Sequence, residues 1–301
     1  MNSLRRLLQP AVTYGSYPLA FLVCLAACIH AVREGWDFAS VHGRLVMGVA
    51  AFHIALELLF PMDRRWGMTW RSLLRDAAYL ALNGAVQAGG RAAAGWAAIR
   101  LAPDGGGLMA GLPFWAALPL LLLTFEFLQY WHHRWSHEMG GPLGRFLWRV
   151  HAAHHLPDRV YVLMHAVGHP LNLLVVNILL MVLLPALLGC RPEVVFVFAV
   201  FSNLQGIVTH LNVDVRVGPL NYLLAGAELH RFHHSTDRSE AKNYGAVLSV
   251  YDVLFGTFVY RPGGRPAALG VAEPERYPRP HQLLRVLALP FSGLPRRSDP
   301  G

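Results

Sequence analysis

Charged side chains are missing from four long stretches of this chain: no Asp, Glu, Lys or Arg occurs from Leu7 to Val32, Gly105 to Phe125, Val160 to Cys190 or Val194 to Val213. A helix of about 20 apolar residues crosses a hydrocarbon core, so runs of this length predict membrane spans. Six crossings follow, at about 10–33, 43–62, 77–100, 107–130, 171–189 and 193–212. The third is the weakest, rich in Ala and Gly and carrying Arg91, and is expected to pack through its small residues. Ala-Pro-Asp-Gly-Gly-Gly, at the heart of 101–107, predicts a turn, and the short tip Cys190-Arg191-Pro192-Glu193 makes the last two spans antiparallel neighbours. Between the second and third spans, Trp66 and Trp70 beside Arg64, Arg65 and Arg71 suit the headgroup region. Glu57, four residues after His53, lies near the inner end of its span and is expected to reach the interface.

The predicted fold is therefore all-α: a polytopic integral membrane helical bundle with a cytosolic, helical, histidine-rich metal-binding cap. Its divisions are 1–106 (N-terminal spans and interfacial loop), 107–260 (catalytic spans and histidine clusters) and 261–301, a Pro- and Arg-rich tail. In the tail, 281–291 reads as a short interfacial amphipathic helix, and the remainder as mobile chain.

Composition sharpens this picture. Of 301 residues 54% are hydrophobic and only 15% charged, against about 25% charged in soluble domains. The net charge of +8 needs no nucleic-acid partner. With the N-terminus inside, Arg64, Arg65, Arg71, Arg75, Arg134, Arg145, Arg149, Arg159, Arg216, Arg231, Arg238 and Lys242 all fall on the inner side. That is the positive-inside pattern. Three cysteines, Cys24, Cys28 and Cys190, form no CxxC pair or disulfide framework. The basic, then apolar, N-terminus is too long in its apolar run for a signal peptide and reads as a retained helix.

Chemistry concentrates in histidines. His133 and His137 stand four apart, while His151, His154 and His155, and again His230, His233 and His234, stand at i, i+3 and i+4. On helices these spacings place imidazoles on one face. Eight converging imidazoles exceed what one metal ion holds, and imidazole suits iron, zinc, copper and nickel. His210 ends the last span at the same inner face and is a ninth candidate; His165 and His169 are further possibilities.

In combination, several motifs resemble the fatty acid hydroxylase and sterol desaturase superfamily. They are Tyr130-Trp131, HRxxH at 133–137, HxxHH at 151–155, HxN at 210–212, ELHRxHHS at 228–235, Asn243-Tyr244-Gly245 and DxLFGT at 252–257. The resemblance covers about 120–260. It implies an integral membrane oxygenase with two iron ions on His133, His137, His151, His154, His155, His230, His233 and His234, with His210 added. It further implies O2 as oxidant, an external electron donor of ferredoxin or cytochrome type with its reductase, and hydroxylation or, as the alternative, desaturation of a hydrophobic substrate. Zinc is the metal expected to replace iron in purified material. Leu156-Pro157, Ala227 and Tyr251 depart from common family residues and put sub-family and substrate in question rather than metal capacity.

Rival readings fit less well. A zinc protease needs HExxH, whereas Met-Gly-Gly follows His137-Glu138. A bis-histidine haem protein needs paired histidines within spans, where only His30 and His53 are clearly buried, and a non-enzymatic metal-binding or transport protein would line spans with ligands. No GxGxxG after a strand and no cysteine set for an iron–sulfur cluster is present. Asp252 and Tyr244 read as turn and packing residues. Substrate candidates are fatty acyl lipids, sterols or terpenoids, and amino-acid-bearing amides such as ornithine lipids or tetramate macrolactams. Abundant Arg and Ala with a single lysine, Lys242, fit a high-GC bacterial gene and an inner-membrane location.

Overall fold

A computed structural model describes residues 3–101 and 106–292. Most of the turn expected at 101–107 and the end of the tail lie outside them. The long helices are α1 (Ser3–Glu34), α2 (Phe38–Leu59), α3 (Trp70–Leu101), α4 (Phe114–Glu138), α5 (Gly141–His155), α6 (Pro170–Leu187) and α7 (Pro192–Thr209). Shorter ones follow: α8 (Ala227–His233), α9 (Val250–Leu254) and α10 (Leu283–Ala288). Among the described residues, extended pairing is limited to isolated bridges such as Pro61 with Val213. The protein is a helical, polytopic membrane protein.

Five helices, α1, α2, α4, α6 and α7, are long and apolar enough to cross a membrane. The third expected crossing forms as α3 but is not one of these five, because Arg91, Gln87 and many small residues dilute its apolar character. It nonetheless runs the depth of the bundle. Near its start, Asp76 accepts a 2.6 Å hydrogen bond from Tyr161 beside the histidines. Just past its end, Met109 N–H donates to Leu188 O in the far turn between α6 and α7, at 2.8 Å. A Cβ on Gly189 (φ +70°) would meet Gly106 O at 1.5 Å, so backbone packs on backbone at that turn. Small-residue packing appears where expected: a Cβ on Gly90 of α3 would lie 2.8 Å from Ile178 of α6.

α1 and α2 form a hairpin turned at Gly35 (φ +64°) and capped by Asp37, whose carboxylate accepts from Ser40 N–H at 2.8 Å. Their apolar faces bury Tyr17, Cys24, Cys28 and Val49 against Phe196, Val200 and Leu204 of α7. The two span cysteines are packing residues. α4, α6 and α7 share a second core around Leu121, Phe125 and Phe198. Met139-Gly140 separates α4 from α5, which opens on Gly141 (φ +73°) and Pro142, so α4 breaks just after the first histidine pair.

Two expectations need correction. Glu57 does not reach an interface: it is buried, and its Oε1 accepts from Val162 N–H (2.9 Å) and Asn212 N–H (2.8 Å). That one oxygen is the acceptor for two backbone donors that separate segments bring to one point. Trp66 is likewise buried, against Val160 and Leu269, while Trp70 is exposed. The helix expected at 281–291 docks on the cap, with Val286 packed against Tyr79 and Ala153 and Arg149 donating to Ser292 O at 2.8 Å.

Candidate metal centre

α4, α5, the end of α7 and α8 bring nine histidines into two adjoining groups. One comprises His133, His137, His151, His155 and His233; the other His154, His210, His230 and His234. Within each group one ring nitrogen per residue lies within 4.8 Å of all the others. The division follows from helix geometry. Residues four apart stay together (133/137, 151/155, 230/234), whereas the i+3 members, His154 and His233, cross to the opposite group. His154 and His155 are successive on α5, so their side chains diverge by about 100° and cannot share a centre. The groups interlock through His155 and His234, whose rings stack at 4.5 Å.

The tautomers are set by neighbouring carbonyls. A carbonyl oxygen only accepts, so His133 Nδ1 donates to Tyr244 O (2.7 Å), His154 Nδ1 to Val167 O (2.8 Å) and His233 Nδ1 to Lys242 O (2.9 Å). Their Nε2 atoms are therefore bare lone pairs pointing inward. In the five-histidine group His151 Nε2 lies 3.0 Å from Nε2 of both His133 and His155, and His155 to His233 is 3.1 Å. In the four-histidine group, Nε2 of His210 is 2.9 Å from His154 and 3.0 Å from His230. Two ligands at right angles on an ion with bonds of about 2.1 Å stand about 3 Å apart. Converging lone pairs repel, and a cation at each centre would remove that repulsion. The donor set fits a divalent transition metal in both groups.

Burial adds to the fit. It lowers His154 to about 4, and it holds His151, His155, His210, His230, His233 and His234 well below the usual imidazole range, with neighbouring imidazoles pushing the same way. Neutral imidazole is the form that ligates.

Residues read as scaffold hold these rings. Asp252 accepts from Tyr244 N–H, Gly245 N–H and Thr257 Oγ1–H, each at 2.7 Å, fixing the Tyr244 carbonyl on His133. Glu126, fully buried on α4, accepts from Ala246, Val247 and Leu248 N–H at 2.7–2.9 Å and ties the same loop to the helix that carries His133. Sequence reading passed over Glu126, although a carboxylate directly after a charge-free run was its signal. His165 stands behind the four-histidine group, its Nδ1 3.2 Å from His210 Nδ1. His169 lies apart from both groups: it caps α6 by accepting from Leu171 N–H and meets Leu287 O at 3.1 Å.

Fold and site together define a polytopic helical membrane protein with two adjoining, all-histidine groups that could each hold a metal ion. Residues 118–257 match the fatty acid hydroxylase family model. Similar proteins include ornithine lipid hydroxylase of Rhizobium tropici, 35% identical over 172 residues, 57% of this chain and 49% of that one. Human alkylglycerol monooxygenase is 32% identical over 137 residues, 45% of this chain and 29% of that one. A very-long-chain aldehyde decarbonylase of rice is 29% identical over 153 residues, 48% and 54% of the two chains. This chain thus spans about half or less of these relatives' lengths. No solved structure matches. Over residues 118–257, the segment that carries all nine histidines of the two groups, the chain is similar to the fatty acid hydroxylase family.

Proposed function

We propose that this chain is a membrane-bound, O2-dependent di-iron hydroxylase acting on a C–H bond of a lipid. The observation that carries the reading is the pair of interlocked, carboxylate-free histidine groups at the end of apolar helices, within the segment matched by the family model. His133, His137, His151, His155 and His233 would hold one ion and His154, His210, His230 and His234 the other. Bound there, two iron ions supply the oxidation of an unactivated C–H bond with dioxygen and two electrons.

The rest is done by the chain. Val167, Lys242 and Tyr244 carbonyls keep protons on Nδ1, so the inward nitrogens stay available. Asp252 and Glu126 hold one of those carbonyls in register through the 244–248 loop. Buried Arg231 donates to Val213 O at 3.0 Å and braces the segment after His210. Exposed apolar side chains on α1, α2 and α4, such as Leu22, Met47 and Leu123, face the bilayer from which a hydrophobic substrate enters.

A separate ferredoxin or cytochrome-type carrier with its reductase would deliver electrons, since three cysteines cannot supply a four-thiolate cluster. The positive-inside count supports a cytoplasmic position for the histidines in a bacterial inner membrane, with 107–260 as the catalytic unit. Similarity to ornithine lipid hydroxylase and alkylglycerol monooxygenase favours a polar lipid substrate and hydroxylation over desaturation.

The test is mass spectrometry of lipid extracts from cells expressing the chain or its His154→Ala/His155→Ala form under 18O2, with a competent reductase. A lipid gaining one labelled oxygen only with the unaltered chain is the expected result. A product lighter by two hydrogens would move the assignment to desaturation, and identical extracts would leave a metal-binding protein without oxygenase activity.

A further inference from the structure

The two histidine groups differ in access. A cavity of about 240 Å³ lies against the five-histidine group, with His137, His155 and His233 in its wall, and no member of the four-histidine group lines it. Its remaining walls lie outside the apolar stretches of the spans, on α5, on 235–244 and on 270–277, with Glu138 at the very end of α4. Trp148, Tyr244 and Tyr277 give it aromatic faces, and a 2.8 Å hydrogen bond from Trp148 Nε1 to Tyr277 Oη fixes two of them.

Its charge is one-sided. Among the described residues of its wall, Arg145, Arg149, Arg238, Lys242 and Arg276 face two carboxylates, Glu138 and Glu273. Both carboxylates are already engaged. Glu138 pairs with Lys242 and, at 2.7 Å, with Arg134, while Glu273 pairs with Arg276 at 2.6 Å and Arg238 at 3.4 Å. Arg145 enters no ion pair among the described residues. A recessed site with surplus cations selects a small anion, and a guanidinium binds carboxylate or phosphate through paired hydrogen bonds. The volume is below the roughly 300–1,000 Å³ of sites that enclose a whole drug-sized ligand. It matches a headgroup rather than a complete lipid or a sterol skeleton. A concave wall also suits a small head better than the convex surface of an acidic protein.

We propose that this cavity receives the anionic head, carboxylate or phosphate, of an amphiphilic substrate, with Arg145 as an anchor. Oxidation then falls on carbon near the head, because the head lies within the wall that His137, His155 and His233 share. This inference rests on the oxygenase reading above for its catalytic meaning, though the anion site itself is testable by binding alone.

The experiment titrates the purified, iron-loaded full chain in neutral detergent with N-lauroylglycine, its uncharged amide N-lauroylglycinamide, and inorganic phosphate. Metal content is measured on every sample. The carboxylate is expected to bind about tenfold more tightly than the amide, the scale of one charge-assisted contact. Arg145→Gln should reduce that preference to about threefold or less with both metals retained, and Arg145→Lys should keep most of it. If Arg145→Gln lost its metals through misfolding, Arg276→Gln would carry the same comparison. Equal affinity for carboxylate and amide overturns the proposal. Phosphate binding as tightly as N-lauroylglycine overturns the headgroup assignment in favour of a free-anion site, and undiminished preference in the metal-replete glutamine variant overturns the role of Arg145. Failure of the unaltered chain to hold two metals is a separate outcome that refutes the di-iron reading while leaving the anion preference measurable.

Discussion

The five-histidine and four-histidine groups use the same side chain and share α5 and α8, with α4 completing the first and the end of α7 the second, yet they are built for different exposure. The first borders a cationic cavity, and two of its rings are tethered to carbonyls of the 242–244 segment. The second lines no described cavity, and behind it stands another imidazole, His165, rather than an open wall. His230 Nδ1 and His234 Nδ1 are buried with no partner among the described residues. The difference teaches that a helix turn can feed two centres at once: one residue of offset on α5 sends His154 inward and His155 toward the cavity.

Substitutions can break this comparison, beginning with the ligands. His230→Ala/His234→Ala should reduce bound metal from two ions to one per chain and lower turnover at least about 100-fold, beyond the 10–100-fold of outer-layer changes. Elemental analysis beside an activity assay reads both. His165→Ala should weaken metal affinity at the four-histidine group by about tenfold or more while sparing the other. Chelator titration followed spectroscopically would show one ion leaving early; two ions leaving together would deny His165 a selective role.

Glu126→Ala acts on the opposite group. Three backbone donors lose their acceptor, each buried loss being worth about 1–3 kcal/mol, so the melting temperature should drop and the five-histidine ion should be released first. Glu126→Gln, which keeps one oxygen, should recover part of the loss.

Acidity bears on both groups in the metal-free protein. His154 sits at about 4 in the folded chain against 6.5 for a free imidazole. The unfolded chain therefore takes up protons first, and stability present above pH 6.5 is lost as pH falls toward 4. Thermal melts of chelator-treated protein between those values should show it, and a flat profile would mean that the cage admits protons while folded. The smallest effect belongs to His281→Ala, an exposed histidine in neither group. It should shift stability by no more than about 0.5 kcal/mol and leave both ions bound.

Much of this was legible in the sequence because it is local. Charge-free runs gave the spans, and i, i+3, i+4 spacing gave the histidine faces. Even the split between groups is implicit there, since neighbours such as His154 and His155 cannot point the same way. What could not be read is held by backbone. The carbonyl partners of His133, His154 and His233 have no residue identity to betray them, and Glu57, Glu126 and Asp252 matter through the N–H groups that distant loops bring to them. α3 was harder for another reason. Its polar residues make it a poor span alone, and its course through the bundle rests on packing against α6 and on contacts at either end.

The most direct test of the central claim is the metal stoichiometry of the chain expressed in iron-57 medium, read by elemental analysis and Mössbauer spectroscopy. The proposed function predicts two iron ions per chain, both in nitrogen-rich environments, falling to one when His230 and His234 are replaced by alanine. A single ion in the unaltered chain, or two that survive that replacement, would contradict the paired-centre account.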